Sequence, residues 1–311
     1  MVRHTPVVVD DEHELTALLA SAGLHRPTVA ATHFGGPAAL APRAEATAER
    51  VFVIECDAAN LNATWEVAAD VVDATGRWPI ATAGFGHEPL ATSLWGSIIP
   101  TGSLPDPLTD DELDRRIAEL VARSDDIFIV DDEELVFHLN KTAQRVGAAP
   151  SADEVRAALG APIGDTALNI WLHRWETAHA SGQPTPGTDA HLRPFQPRSG
   201  PCGVVLLPTD EPWRAAALMP FYGVNSLVTL EVFVSLLRRW YTRWGAEVTA
   251  SYGTLLDARV HYPPVHAEDA LAVAVEQGVL AHDTIWLPGV SLRDHARALI
   301  GRKTWHLHDR P

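Results

Sequence analysis

The run from Leu230 to Trp244 constrains this chain more than any other stretch. Leu230, Phe233, Val234, Leu237, Tyr241 and Trp244 recur at helical spacing, and Gly245 follows. That pattern predicts a helix with one apolar face, ended by a glycine that can take the left-handed conformation. Such a face must be buried against another layer, and the flanking residues supply one. Gly203 to Leu207 reads as a strand, while Ala246–Ser251 and Leu255–Tyr262 read as a hairpin around Tyr252-Gly253-Thr254. Pro263 and Pro264 end the hairpin. A helix from about Ala267 to Gln277 is expected to stop at Gly278, and Ser291 with Asp294 opens another that buries Leu292, Ala296, Leu299 and Ile300. Lys303 to His308 is the expected closing strand.

Upstream the signals alternate. Pro6 to Val9 is an apolar run, followed by a helical segment from Glu12 to Ala22. Val51 to Ile54 reads as a strand that leads through Glu55, Cys56 and Asp57 to Asn62, the expected N-cap of a helix carrying Trp65, Val67, Val71 and Val72. Gly76 closes that helix and Trp78 to Ala83 returns as a strand, which suits a parallel βαβ element. Thr109 with Glu112 and Ser151 with Glu154 have capping-box spacing. Leu113, Ile117, Leu120 and Val121 continue the first of these helices, and Leu168, Trp171, Leu172 and Trp175 mark one face of another over about Asp165 to His179. Ser181 to Gly203 holds five prolines and no apolar periodicity. The expected division is an N-terminal α/β region over 1–180, a Pro/Gly-rich linker over 181–203 and a C-terminal α/β domain over 204–311. The fold class is mixed α/β, with a C-terminal mixed sheet flanked by helices.

The stretch from Trp213 to Asp309 resembles the bacterial domain of unknown function numbered 4253. The likeness rests on Gly223 and Asn225 as a Gly-x-Asn turn, then Trp240, Trp244, Gly245 and Ala246, then Pro263 and Pro264, and finally the strand from Trp305 to Asp309. Trp65 to Pro79 is similar to the region that often precedes the domain. Two departures stand out. Ala281-His282-Asp283 stands where family members tend to read Cys-Pro-Asp, and His306 and His308 stand where they tend to carry Phe or Trp. The resemblance implies a fold and no settled activity.

Forty acidic against 24 basic side chains give a formal charge of -16. That field repels nucleic-acid phosphates and anionic lipid surfaces, attracts a basic protein, and also keeps a protein soluble. Cys56 and Cys202 lie in different sequence regions, which argues against a disulfide framework and for a reducing, cytoplasmic setting. No run of 18 apolar residues occurs, so no membrane span is expected.

Several residues could carry chemistry. His306 and His308 alternate along a strand beside Asp309, a spacing that suits two imidazoles on one divalent metal if a carboxylate or a third histidine such as His261 or His266 converges; otherwise they are two solvated histidines. Cys56 precedes a helix, where a thiol can be activated, yet Glu55 and Asp57 flank it and a buried structural thiol is the other reading. Gly84-Phe85-Gly86-His87-Glu88 follows a strand and could offer His87 or Glu88 as an acid or base, or be a plain turn. Asp125, Asp126, Asp131, Asp132, Glu133 and Glu134 could hold a cation or a basic partner, or could be the solvated ends of a strand at Ile127–Val130. Trp240, Trp244, Trp305 and Asn225 are the expected binding residues. Hydrolase, zinc-protease, kinase and Cys-x-x-Cys templates are absent. The expectation is a non-catalytic binding or regulatory protein that caps a basic partner as an immunity protein does. The alternative is an enzyme with a metal- or Cys-dependent site between the regions. No cofactor is predicted, and the oligomeric state is left open.

Overall fold

The computed structural model describes residues 8–25, 27–33, 50–84, 90, 98–99, 101–181, 189–198, 200–225 and 227–310. Its frame is a seven-stranded sheet in the order β1-β2-β4-β3-β5-β6-β7. The strands are β1 (Thr28–His33), β2 (Arg50–Cys56), β3 (Trp78–Ala83), β4 (Cys202–Leu207), β5 (Ala246–Ser251), β6 (Leu255–Val260) and β7 (Thr304–His308). Val51–Ile54 and Cys202–Leu207 are buried without alternation, as strands covered on both faces must be. Two helices precede β3, α2 (Leu61–Asp70) and α3 (Val72–Thr75), after α1 (Glu12–Ser21) near the start. The helices that follow are α4 (Asp110–Asp125), α5 (Asp132–Val146), α6 (Ala152–Leu159), α7 (Asp165–His179), α8 (Pro212–Leu218), α9 (Leu230–Trp244), α10 (Ala267–Leu280), α11 (Asp283–Trp286) and α12 (Leu292–Leu299). The mixed α/β class is as the sequence pattern predicts.

β4 is antiparallel to both β2 and β3, and β3 then pairs in parallel with β5. The expected βαβ element over residues 51–83 is therefore split: β2 and β3 run the same way, but β4 lies between them. The sheet runs across the expected 181–203 boundary without a break. One hydrophobic core likewise joins Phe52, Trp65 and Ile80 to Phe233, Trp240 and Trp305. A small second cluster, Leu135, Val155, Ile163, Leu168 and Leu172, fastens α5 to α7.

Local signals are accurate where they are chemical. Thr109/Glu112 and Ser151/Glu154 form their capping boxes, Thr229 caps α9, and Gly245 closes it at φ 58°. Other expectations shift. α2 starts at Leu61 rather than being capped by Asn62. Tyr241 is partly open to solvent instead of facing the core. Gly278 does not end its helix, because α10 continues to Leu280; a Cβ there would stand 3.1 Å from Ile285 Cδ1, so the glycine admits a neighbour rather than a turn. Ile127–Val130 is not a strand. Only Ile129 bridges, to Gly164.

Candidate functional site: an apolar groove with acidic ends

The groove begins with the chain leaving α4. The Asp125 carboxylate accepts from the Thr166 N–H at 2.8 Å and the Ala167 N–H at 3.1 Å, joining the end of α4 to the first turn of α7. Val130 N–H donates to Ile163 O and Asp165 N–H to Phe128 O, both at 2.9 Å. These bonds fix the 127–130 backbone while leaving Ile127 64% and Phe128 43% exposed. Asp131 then caps α5 in a box with Glu134. Asp125, Asp131 and Glu134 of the acidic run thus cap and join helices.

Opposite stand Val275, Val279 and Leu280 of α10, with His282 and Ile285 beyond, Leu292 of α12, and Leu227 and Val228 from the loop before α9. They enclose a groove of about 250 Å³ that also takes in Leu120, Val121, Asn225, Asp165 and Asp309. The His282 ring stacks on Phe128, centroids 5.0 Å apart, and lies 6.3 Å from Trp286, which is 63% exposed. Burial lowers the His282 pKa, so the imidazole behaves as a neutral aromatic plate in this stack.

Two carboxyl groups belong to the lining. Asp309 is pushed up to about 6 by burial and by Asp283, against hydrogen bonds from the His282 and Asp283 amides that favour its charge. Asp165 is also raised, by burial and by Asp125 and Glu134, although 47% of its side chain remains open to screening water. Its nearest basic group is His138 Nε2 at 3.7 Å, and burial holds that histidine near 4. Among the described residues neither carboxyl has a lysine or arginine within ion-pair distance. Arg123 is the one arginine in the lining.

The sequence-predicted residues distribute as follows. Asn225 lines the groove and shapes its loop: its Oδ1 accepts from the Leu227 and Val228 amides at 2.8 and 3.1 Å. Trp240 and Trp305 are core groups, packed edge to face at 5.8 Å, so neither offers a surface; Trp240 Nε1 donates to Glu276 at 2.6 Å. Trp244 is half-buried against the same core. His306 is paired with Asp257, Nδ1 to Oδ1 at 2.6 Å, and His261 with Glu247 at 3.0 Å. His308 lies opposite Leu255 while His261 lies past the far end of β6, roughly 20 Å along the strand, so the three imidazoles do not converge. Among the described residues no group of three or more His, Cys, Asp or Glu could hold a metal ion. Burial pushes the Cys56 thiol up, opposite to what a poised nucleophile needs. His87 lies outside the described residues.

Sequence reasoning missed Phe128, taken into a strand, and Asp165, taken as a helix start. The available signal was the apolar tetrad Ile127–Val130 inside an acidic run, which had no alternation to bury it.

Fold and groove together define a mixed α/β sheet protein with an apolar groove flanked by carboxyl groups whose pKa values are raised. Residues 203–309 match the family described as Domain of unknown function (DUF4253). No curated protein and no solved structure matches the chain. The matched region supplies Asn225, His282 and Asp309 to the groove, and the segment before it supplies Phe128 and Asp165. Among the described residues no helix is long and apolar enough to cross a membrane.

Proposed function

We propose that the protein is a non-catalytic binding protein that holds a basic protein partner through this groove. The observation that carries the reading is the combination of the exposed Phe128–His282–Trp286 stack with Asp165 and Asp309, two raised carboxyls that, among the described residues, have no lysine or arginine within ion-pair distance. An apolar side chain of the partner would fill the groove and exclude water, and a neighbouring lysine or arginine would meet a carboxylate that is costly while unpaired. The charge of -16 favours the encounter and makes it salt-dependent. Capture from cell extract with the full-length chain tests this, beside a variant carrying Phe128→Ala, Asp165→Asn and Asp309→Asn. A basic partner should be recovered by the wild type, released as salt rises from about 0.05 to about 0.5 M, and lost with the variant. Recovery indifferent to both salt and substitution, or no partner at all, would overturn the reading.

A further inference from the structure

Cys56 ends β2 and Cys202 begins β4, 146 residues apart in sequence yet directly paired in antiparallel register. Both are free thiols, and Cys202 Sγ–H donates to the Cys56 carbonyl at 3.0 Å. Directly opposed residues of an antiparallel pair have Cα atoms about 4.5–5.5 Å apart, inside the range of about 4.4–6.8 Å that a disulfide spans. The fold thus brings together two thiols that sequence separation had argued apart.

We propose that Cys56 and Cys202 form a dithiol site that peroxides oxidise reversibly to a cross-strand disulfide. The half-buried Cys56 is the entry point, and Cys202, 2% exposed, is the resolving thiol. The Cys56 thiolate attacks one oxygen of hydrogen peroxide, the O–O bond breaks, and hydroxide leaves to take up a proton as water. The sulfenic acid formed on Cys56 is then attacked by Cys202 sulfur. The S–S bond forms, the S–O bond breaks, and the hydroxyl leaves with the Cys202 proton as a second water. Two thiols lose two electrons and one peroxide gains them. Burial raises both thiols, Cys202 to about 11, so the reaction is slow near neutrality and quickens as pH rises.

The bond would pin the point where the chain enters β4. The residues just before that strand lie over the sheet, with the Phe195 N–H donating to Asp257 Oδ2 at 3.2 Å and Arg302 paired with Asp189. Closing so long a loop restricts the unfolded chain strongly, so the oxidised protein should be the more stable form.

Reduced full-length protein is treated with hydrogen peroxide, quenched with iodoacetamide and mapped by mass spectrometry without reductant. The expected result is one intramolecular crosslink between the peptides holding Cys56 and Cys202, with a loss of about 2 Da. Both titratable thiols should disappear, and Tm should rise by about 4 °C or more and return with dithiothreitol. Cys56→Ser and Cys202→Ser should each abolish the crosslink and the rise. Thiols that stay free, sulfinic acid on Cys56, crosslinks between chains, or a lower Tm after oxidation would each overturn the proposal. The wild-type measurement stands without either variant, so a serine chain that fails to fold does not decide it.

Discussion

Glu176 shows how much of this fold rests on single buried charges. It is 1% exposed on α7, accepts from Thr142 Oγ1 at 2.6 Å, and is ion-paired with Arg145 and Arg297. Arg293, fully buried beside it, sends Nη2 to His138 O at 3.0 Å while its Nε has no partner among the described residues. Desolvation and repulsion by Arg145 lower Arg293 to about 10 and Arg297 to about 9, so the cluster depends on its central carboxylate. Glu176→Ala leaves Arg293 without its carboxylate and Arg145 and Arg297 sharing Asp294 alone, and should cost about 3–5 kcal/mol by urea unfolding. Glu119→Ala, which breaks the exposed pairs with Arg115 and Arg116, should cost under about 1 kcal/mol. The buried histidines give a pH dependence. His138 and His173 are held near 4 by burial first and neighbouring arginines second, and His295 near 3 by burial first and the adjoining His191 second. A lowered histidine binds fewer protons folded than unfolded, so its stability is complete above the unfolded value of 6.5 and falls away as pH drops towards the folded one. Asp309, raised to about 6, and the raised Asp165 work the other way, since they are relieved on protonation, but both are half-exposed. The histidines outweigh them. Unfolding free energy should fall by about 3 kcal/mol from pH 7 to pH 5, and a flat or rising profile would contradict this assignment.

At the scale of elements, what the sequence announced was local. A capping box needs four adjacent residues, and a helix stop needs one glycine, so both are written in a short window. Gly245 shows the strength of such a signal. Its φ of 58° suits only glycine comfortably, and an added Cβ would stand 3.0 Å from His261 Cβ. Gly245→Ala should destabilise by about 1–2 kcal/mol from backbone strain alone, read from a chemical melt. Gly278, an equally visible glycine, does something different because its environment comes from Ile285 and Leu292 rather than from its own helix. The groove was legible in the same partial way. The family likeness points to Asn225 and Asp309, and to His282 as a departure from it, whereas local pattern reads Phe128 and Asp165 only as parts of secondary structure. That His282 stacks on Phe128 depends on a contact between segments 154 residues apart, and no local pattern encodes it.

For the whole molecule the decisive fact is where β4 lies. The region matched to the family, residues 203–309, contains β4 through β7, apart from Cys202 at its edge, yet within the sheet β4 touches none of the other three. Its partners are β2 and β3, and β5 reaches β4 only through β3. Further ties cross the same boundary: Trp78 Nε1 donates to Val248 O at 3.3 Å, Arg239 binds Asp114 at 2.6 Å, and Arg297 meets Glu176. A fragment of residues 203–311 would expose Val204 to Leu207 on both strand edges and leave Arg293 and Arg297 without Glu176. It should therefore lack a cooperative melt and be digested rapidly, while the full chain unfolds in one calorimetric transition. A sharp melt of the fragment would show that the matched region holds its own core. The groove follows the same line, because Phe128 and Asp165 lie on one side of that boundary and Asn225, His282 and Asp309 on the other. A fragment supplied with the missing strands β2 and β3 but not with α4 to α7 should regain order in the sheet and still fail in the proposed capture of a basic protein.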